Sequence, residues 1–208
     1  MKVAIIGSGN MGAGLAGALA AVGNEVIIGT RDPAKAAALA EKVGHGAIGG
    51  GIAAAAKLAD VLILALPYGG VAEALKLAGD VSGKVLVDIS NPISADFKEL
   101  TIGHTTSAAE EIQKLVPKAH VIKAFNTIFA QLFAAEARQA NKLQVFIAGD
   151  DAAGKAKIAT LAQSAGFEPV EAGPLSNARF LEPIGEMNIH FGYFLGKGPS
   201  VAPIWVKA

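Results

Sequence analysis

The chain has 208 residues, 52% hydrophobic and 17% charged, which is enough apolar material for a domain core and too much for a disordered chain. Eighteen Lys and Arg balance eighteen Asp and Glu, so the basic footprint of a nucleic-acid or anionic-membrane binder is missing. With no cysteine and four scattered histidines, there is no disulfide framework, no thiolate metal site and no cysteine nucleophile.

Met1-Lys2 precedes a stretch without charge from Val3 to Asn24, which has the outline of a signal peptide or anchor. Gly7-Ser8-Gly9-Asn10-Met11-Gly12 breaks its apolar run, so a soluble, cytoplasmic protein with no membrane partner is expected. Val3 to Ile6 reads as a buried strand. Met11 to Val22 reads as a helix stopped by Gly23-Asn24. Glu25 to Gly29 is a second strand, and Asp32-Pro33 starts a helix with Asp as N-cap and Pro at its first position. Further strands are expected at Val61–Ala65, Lys84–Asp88, Val121–Phe125, Gln144–Ala148 and Phe167–Glu171. Ser107-Ala108-Ala109-Glu110 has the form of a capping box, and Asp150-Asp151 can cap the helix through Leu161. This alternation predicts parallel βαβ units: an α/β, Rossmann-type, doubly wound parallel sheet. Ile184, Met187, Phe191 and Leu195 then recur at helical spacing, before a tail from Pro199 to Ala208, as a small C-terminal helical extension. That helix face can cover a second cofactor, form a homodimer contact, or simply pack in the core.

The glycine-rich run follows a strand, opens a helix, and is followed by a second strand about twenty residues on, which is the context of a dinucleotide site. Gly7 permits the tight turn, Gly9 lets the backbone approach a pyrophosphate, and Gly12 allows close helix–strand packing. An NAD enzyme wants a carboxylate at the end of the second strand, where this chain has Gly29-Thr30-Arg31 and then Lys35. The N-cap role of Asp32 accounts for the nearby acid. Thr30 as donor, Arg31 as planar fork and Lys35 as point charge suit a 2′-phosphate, so NADP(H) is expected. The chain divides into an NADP-binding Rossmann domain, 1–125, and a smaller C-terminal α/β part packed on it, 126–208.

Ligands of such sheets lie beyond the strand carboxyl ends. Ala65-Leu66-Pro67-Tyr68, Ser90-Asn91-Pro92 and Phe125-Asn126-Thr127 leave three consecutive strands there. Tyr68 can cover a nicotinamide or simply pack, and Ser90-Asn91 can frame a ligand or form an Asx-type turn. No Ser/His/Asp arrangement, paired carboxylates or catalytic lysine stands out, and His45, His104, His120 and His190 read as structural or solvated. A site without acid–base residues suits hydride exchange between NADPH and a flavin-type ring, in which the protein supplies stacking, distance and exclusion of water.

These residues resemble the F420-dependent NADP oxidoreductases. The likeness is carried by Gly7 to Gly12, Ile28-Gly29-Thr30-Arg31 and Ala148-Gly149-Asp150-Asp151, and most strongly by Glu171-Ala172-Gly173-Pro174-Leu175-Ser176-Asn177-Ala178-Arg179. The resemblance implies reversible hydride transfer between NADP(H) and the deazaflavin. It places the dinucleotide on Ser8, Gly9, Asn10, Met11, Thr30, Arg31 and Lys35, with Pro67 and Asn126-Thr127-Ile128 flanking the nicotinamide and the second ring. Archaeal members tend to have His where Asn126 stands. Asp88-Ile89-Ser90-Asn91 and Lys123-Ala124-Phe125-Asn126 look more like the NADPH reductase domain of six-transmembrane ferric reductases, which use an ordinary flavin. The second cofactor is therefore F420, FMN or FAD, with direct reduction of another acceptor behind them. The glycine motif also resembles pyrroline-carboxylate reductases and hydroxyacid dehydrogenases, whose longer helical C-terminal domain does not fit here. An NADPH-binding sensor or regulatory subunit without catalysis is the alternative of a different class.

Overall fold

The computed structural model describes residues 1–140 and 142–206; Lys207 and Ala208 of the expected tail lie outside the described residues. The first half alternates strand and helix, with β3 and α3 added to the expected elements: β1 (Lys2–Ile6), α1 (Asn10–Ala20), β2 (Glu25–Thr30), α2 (Pro33–Val43), β3 (Ile48–Gly51), α3 (Ile52–Leu58), β4 (Val61–Leu64), α4 (Tyr68–Ala78) and β5 (Val85–Asp88). It continues with α5 (Ala108–Leu115), β6 (His120–Lys123), a 3₁₀ turn (Ala130–Phe133), α6 (Ala135–Ala140), β7 (Gln144–Gly149), α7 (Ala152–Ser164) and β8 (Glu168–Glu171). A 3₁₀ turn (Leu175–Asn177) leads into α8 (Ala178–Ile189), which runs on as a π-helical turn through His190–Phe194. Among the described residues no helix is long and apolar enough to cross a membrane.

All eight strands form one sheet in the order β3-β2-β1-β4-β5-β6-β7-β8. The strands β1 to β6 pair in parallel as expected. The expectation of parallel units throughout is corrected at β7, which pairs antiparallel with β6 and carries β8 parallel to itself. Among the described residues, the connection into β7 holds only a 3₁₀ turn and the short α6, so the chain turns back instead of crossing over, which an antiparallel neighbour allows. Phe133 of that turn packs on α1 at Gly14, where a Cβ would stand 2.8 Å from its ring.

Strand side chains alternate between the two faces of the sheet. Val3 and Ile5 join Leu15, Leu19, Ile63, Phe125 and Phe167 on one face, while Ala4 and Ile6 join Leu62, Leu86, Ala109 and Ile112 on the other. Local caps form as the sequence dictates: Asp32 accepts the Ala34 N–H, and Asp151 accepts that of Gly154. Its neighbour Asp150 instead accepts the Leu175 N–H at 2.9 Å. Ser107 Oγ accepts the Glu110 N–H at 3.2 Å and donates to the Glu110 carboxylate at 2.7 Å, and Arg179 of α8 grips that carboxylate too.

The carboxyl edge of β5 and β6 is fastened by charge. Lys123, fully buried, donates through Nζ to Asp88 Oδ2 at 2.7 Å, to Glu182 Oε1 at 2.9 Å and to the Ser90 carbonyl at 2.5 Å. The Glu182 carboxylate also accepts the Ala108 and Ala109 N–H groups at 3.0 and 3.3 Å, at the positive end of the α5 dipole. Burial pushes the Glu182 carboxyl above the usual carboxylate range, against the pull of Lys123. Replacing Lys123 by Met strands two buried carboxylates, for which a loss of roughly 3–5 kcal/mol is expected in urea unfolding at neutral pH. A loss under about 1 kcal/mol would contradict this account of the cluster.

Candidate functional site

At the β1–α1 turn the three glycines of the motif differ in what requires them. Gly7 has φ 123°, and a Cβ there would stand 2.2 Å from the Ala65 carbonyl oxygen. A Cβ on Gly12 would meet the Gly7 carbonyl oxygen at 2.3 Å, so α1 closes on the turn only without a side chain. Gly9, the N-cap of α1, has φ −72° and ψ −177°, and a Cβ on it would meet nothing within 4 Å. The protein's own packing thus needs Gly7 and Gly12, while Gly9 leaves bare backbone facing open space at the helix N-terminus.

A cavity of about 410 Å³ opens on one side of this turn. Gly7, Ser8, Thr30, Arg31, Lys35, Leu66 and Pro67 line it, bringing together seven residues singled out in the sequence. Thr30 differs in role from the expectation: its hydroxyl donates to the Asp32 carbonyl at 2.5 Å, so its proton is spent on the turn. The positive charge of the cavity comes from Arg31 and Lys35, and Arg31 is paired with Glu73 of α4 at 3.2 Å.

A second cavity, about 520 Å³, lies on the other side of the α1 N-terminus. Asn10 and Met11 form one wall; Phe97, Phe129, Ile189, Tyr193 and Phe194 form the rest, with Ala130 and Gln131. Phe129 meets Tyr193 edge-on with centroids 5.3 Å apart, and Phe97 lies 6.4 Å from Phe194. No carboxylate, lysine or histidine is among these lining residues. Such a wall offers ring faces and apolar contact, with Asn10, Gln131 and the Tyr193 hydroxyl as polar handles.

Asn91 and Asn126 line neither cavity, but they tie the loops after β5 and β6 together. Asn91 Nδ2 donates to the Asn126 carbonyl at 3.0 Å, and Asn126 Nδ2 donates to Asn91 Oδ1 at 2.9 Å and to the Leu181 carbonyl at 2.8 Å. Asn126 Oδ1 is buried with no hydrogen-bond partner. Phe125 before it is buried with φ 60°, a left-handed conformation that is costly for a bulky residue and sets the direction of Asn126. Thr127 and Ile128 are buried, Ile128 within the core, so neither joins the two cavities described. Tyr68 packs half-buried on the opposite core face; burial first, then the charges of Glu111, Asp88 and Glu182, raise its phenol.

His190 Nε2 lies 2.7 Å from the Phe97 carbonyl, and Glu186 Oε1 lies 3.2 Å from the same nitrogen without hydrogen-bond alignment. Burial raises the Glu186 carboxyl, with His190 opposing. Sequence reasoning missed the Lys123 cluster, whose one signal is an ammonium between Ile122 and Ala124 in an otherwise apolar strand. It also missed the aromatic wall, which converges from three separate segments. Along the final helix, Met187, Phe191 and Leu195 are exposed, so they are not core.

The family described as NADP oxidoreductase, coenzyme F420-dependent, matches residues 2–92. The F420-dependent NADP reductase of Methanothermobacter thermautotrophicus is 34% identical over 208 residues, covering 91% of this chain and 88% of that protein. Rat metalloreductase STEAP3 is 33% identical over 183 residues; the match covers 88% of this chain, which spans about a third (36%) of that relative's length. A solved structure from Arthrobacter sp. FB24, described as a candidate F420-dependent NADP-reductase, superposes with TM-score 0.84 at 34% identity, covering 94% of this chain and 95% of the other. An Aspergillus terreus reductive aminase, at 20% identity and TM-score 0.69 over 94% of this chain and 63% of that one, shares the fold. On the matching family and the extent of these likenesses, the chain belongs to the F420-dependent NADP reductase family and is an NADP-dependent oxidoreductase.

Proposed function

We propose that the chain transfers hydride between NADP(H) and coenzyme F420. The observation that carries this is an aromatic cavity lined by no carboxylate, lysine or histidine, next to the α1 N-terminus, beyond which lies a cavity bearing the two cations Arg31 and Lys35. Residues 1–125 serve as the NADP-binding domain, and 126–208 supply the C-terminal part packed on it.

Arg31 and Lys35 hold the 2′-phosphate, with Gly7, Ser8, Leu66 and Pro67 shaping the adenosine end. The backbone N–H groups from Gly9 through Gly12 face the pyrophosphate, which the bare backbone at Gly9 fits. Asn10 and Met11 carry the coenzyme past the helix terminus, and the orphaned Asn126 Oδ1, fastened through Asn91, fits an amide donor. Thr127 and Ile128 act from behind, by holding Asn126 in place; Tyr68 and Gly12 shape the strand ends and the turn. The nicotinamide and the deazaflavin supply the hydride chemistry when bound. The chain's own residues stack the rings, set their distance and keep water out. The π-helical turn at His190–Phe194 brings Tyr193 and Phe194 to this wall.

NADPH oxidation by the purified chain, with F420, FMN and FAD as separate acceptors and NADH as control, tests the hydride partner. Turnover with F420 alone is expected. Turnover with FMN or FAD alone moves the chain to flavin use, for which the likeness to a metalloreductase is the supporting observation. Binding of NADPH with no turnover on any acceptor would leave a coenzyme-binding subunit.

The glycines separate fold from site. Gly12→Ala is expected to lower the thermal midpoint, because its Cβ meets the Gly7 carbonyl oxygen at 2.3 Å. Gly9→Ala should leave the midpoint within about 2 °C, yet weaken NADPH binding by roughly tenfold, by crowding the pyrophosphate. Equal loss of stability in both would sink the assignment of Gly9 to the ligand.

The exposed Met187, Phe191 and Leu195 support a homodimer contact on α8 and the turn that continues it. Light scattering on the native chain is expected to give twice the monomer mass, and Met187→Glu/Phe191→Glu a monomer. A native monomer rules the contact out.

A further inference from the structure

The cavity at the end of β2 carries one charge that coenzyme binding does not use. Glu73, on α4, lines it together with Arg31 and Lys35, and its two carboxylate oxygens lie 3.2 and 3.5 Å from Arg31 Nη1. The pair spans the cavity from β2 to α4 and stays in water, with side chains 72% and 60% exposed. α4 is held in the fold by Val71, Ala74 and Leu75, its buried positions, and not by Glu73. The ionisable groups lining the cavity are Arg31, Lys35, Asp32 and Glu73. Asp32 is engaged in capping α2, through the Ala34 N–H at 3.1 Å. Glu73 is therefore the acid whose partner is also the group that must take the phosphate.

A ribose 2′-phosphate carries close to two negative charges and seeks the guanidinium that Glu73 already holds. Whether it displaces the carboxylate or shares Arg31 with it, two anions then stand within one Debye length, about 8 Å at physiological ionic strength. A coenzyme lacking that phosphate leaves the Arg31–Glu73 pair undisturbed. We propose that Glu73 is a specificity-determining residue that competes with the 2′-phosphate for Arg31, holding NADP(H) affinity down, speeding its release and narrowing the preference for NADP(H) over NAD(H). This rests on the assignment of the cavity to the 2′-phosphate. It suits an oxidoreductase in which oxidised coenzyme must leave every cycle, since product release often limits turnover.

The test is calorimetric titration of the full chain, Glu73→Gln and Arg31→Ala with NADPH, NADH and adenosine 2′,5′-bisphosphate, at low salt and at ~1 M salt, where the Debye length falls to about 3 Å. Glu73→Gln is expected to tighten NADPH and the bisphosphate by about threefold or more, the scale of an exposed charge interaction. NADH should stay within about twofold, and the gain should shrink at high salt. Stopped-flow release of NADP⁺ should slow by the same factor. If Glu73→Gln leaves NADPH unchanged, weakens it, or tightens NADH equally, the competitor role is overturned. Arg31→Ala separates the two levels: a tenfold or larger loss of NADPH affinity upholds the 2′-phosphate site whatever Glu73 does. No loss there would bring down that site and this inference with it. Because Glu73 is exposed, its variant keeps the fold, checked by an unchanged melting curve.

Discussion

The ammonium of Lys123 is the fastening on which the functional edge depends. An ammonium has three donors, and Asp88, Glu182 and the Ser90 carbonyl take all three. With none left over, the buried Lys123 has no donor to offer a ligand. Its partners reach in from β5, from the loop after β5 and from α8, while the start of α5 shares Glu182, so one buried contact sets four segments in register. Two carboxylates to one cation leave an excess negative charge, which the free N–H groups of α5 answer. Clusters of this kind are a poor source of net stability, because desolvation offsets most of the attraction. What this one does visibly is restrict geometry. Asp88 also accepts the Ser90 N–H and hydroxyl, so the turn that presents Asn91, and through it Asn126, has one arrangement.

The β1–α1 turn adds a second constraint of the opposite kind, set by the absence of side chains. Strand, turn and helix approach so closely at Gly7 and Gly12 that a single carbon would collide with backbone oxygen. Collision with backbone cannot be relieved by a rotamer change, so these two positions are dictated by the fold. Ordinary dihedrals and open space at Gly9 set it apart. A motif that looks uniform in the sequence is two structural glycines around one that faces outward.

How much of this was legible depends on how local the cause was. The N-caps at Asp32 and Asp151 and the strands β1, β2, β4, β5 and β6 follow from patterns within a few residues and stand where the sequence puts them, whereas the Gly-rich edge strand β3 carries no apolar run to announce it. The reversal at β7 was not legible, because Val145-Phe146-Ile147 fits a buried strand of either direction; the connection decides, and it holds no crossover helix. The Thr30 hydroxyl looked available because its nearest acceptor, the Asp32 carbonyl, is presented only by the folded turn. Lys123 was visible only as an anomaly in an apolar strand, since its partners Asp88 and Glu182 lie far apart in the chain. The aromatic wall has no local pattern at all: Phe97 sits in the loop after β5, Phe129 beyond β6, and Tyr193 beyond α8.

The two cavities differ in the physics they offer, and the α1 N-terminus lies between them. Ser8 belongs to the charged cavity and Asn10 and Met11 to the aromatic one, so the bare backbone at Gly9 bridges the two. On the proposed function, binding affinity and reaction are thereby divided. Charge recognition sits at the β2 end, exposed and screened by salt, where pairing energies are small and tunable. The aromatic end presents ring faces, with no group whose ionisation would have to match the operating pH. A reaction needing a carboxylate or imidazole to protonate the heteroatom beside the reduced carbon would require such a group in this lining, and His190 and Glu186 instead face each other, with His190 on the Phe97 carbonyl. Hydride passing directly between two rings needs them held about 3–3.5 Å apart and dry, with the proton that completes the reduced ring taken up at its nitrogen from solvent. Of the rings that would set that distance, Tyr193 and Phe194 continue a helix that the Lys123 cluster pins, through Glu182, to the edge of the sheet.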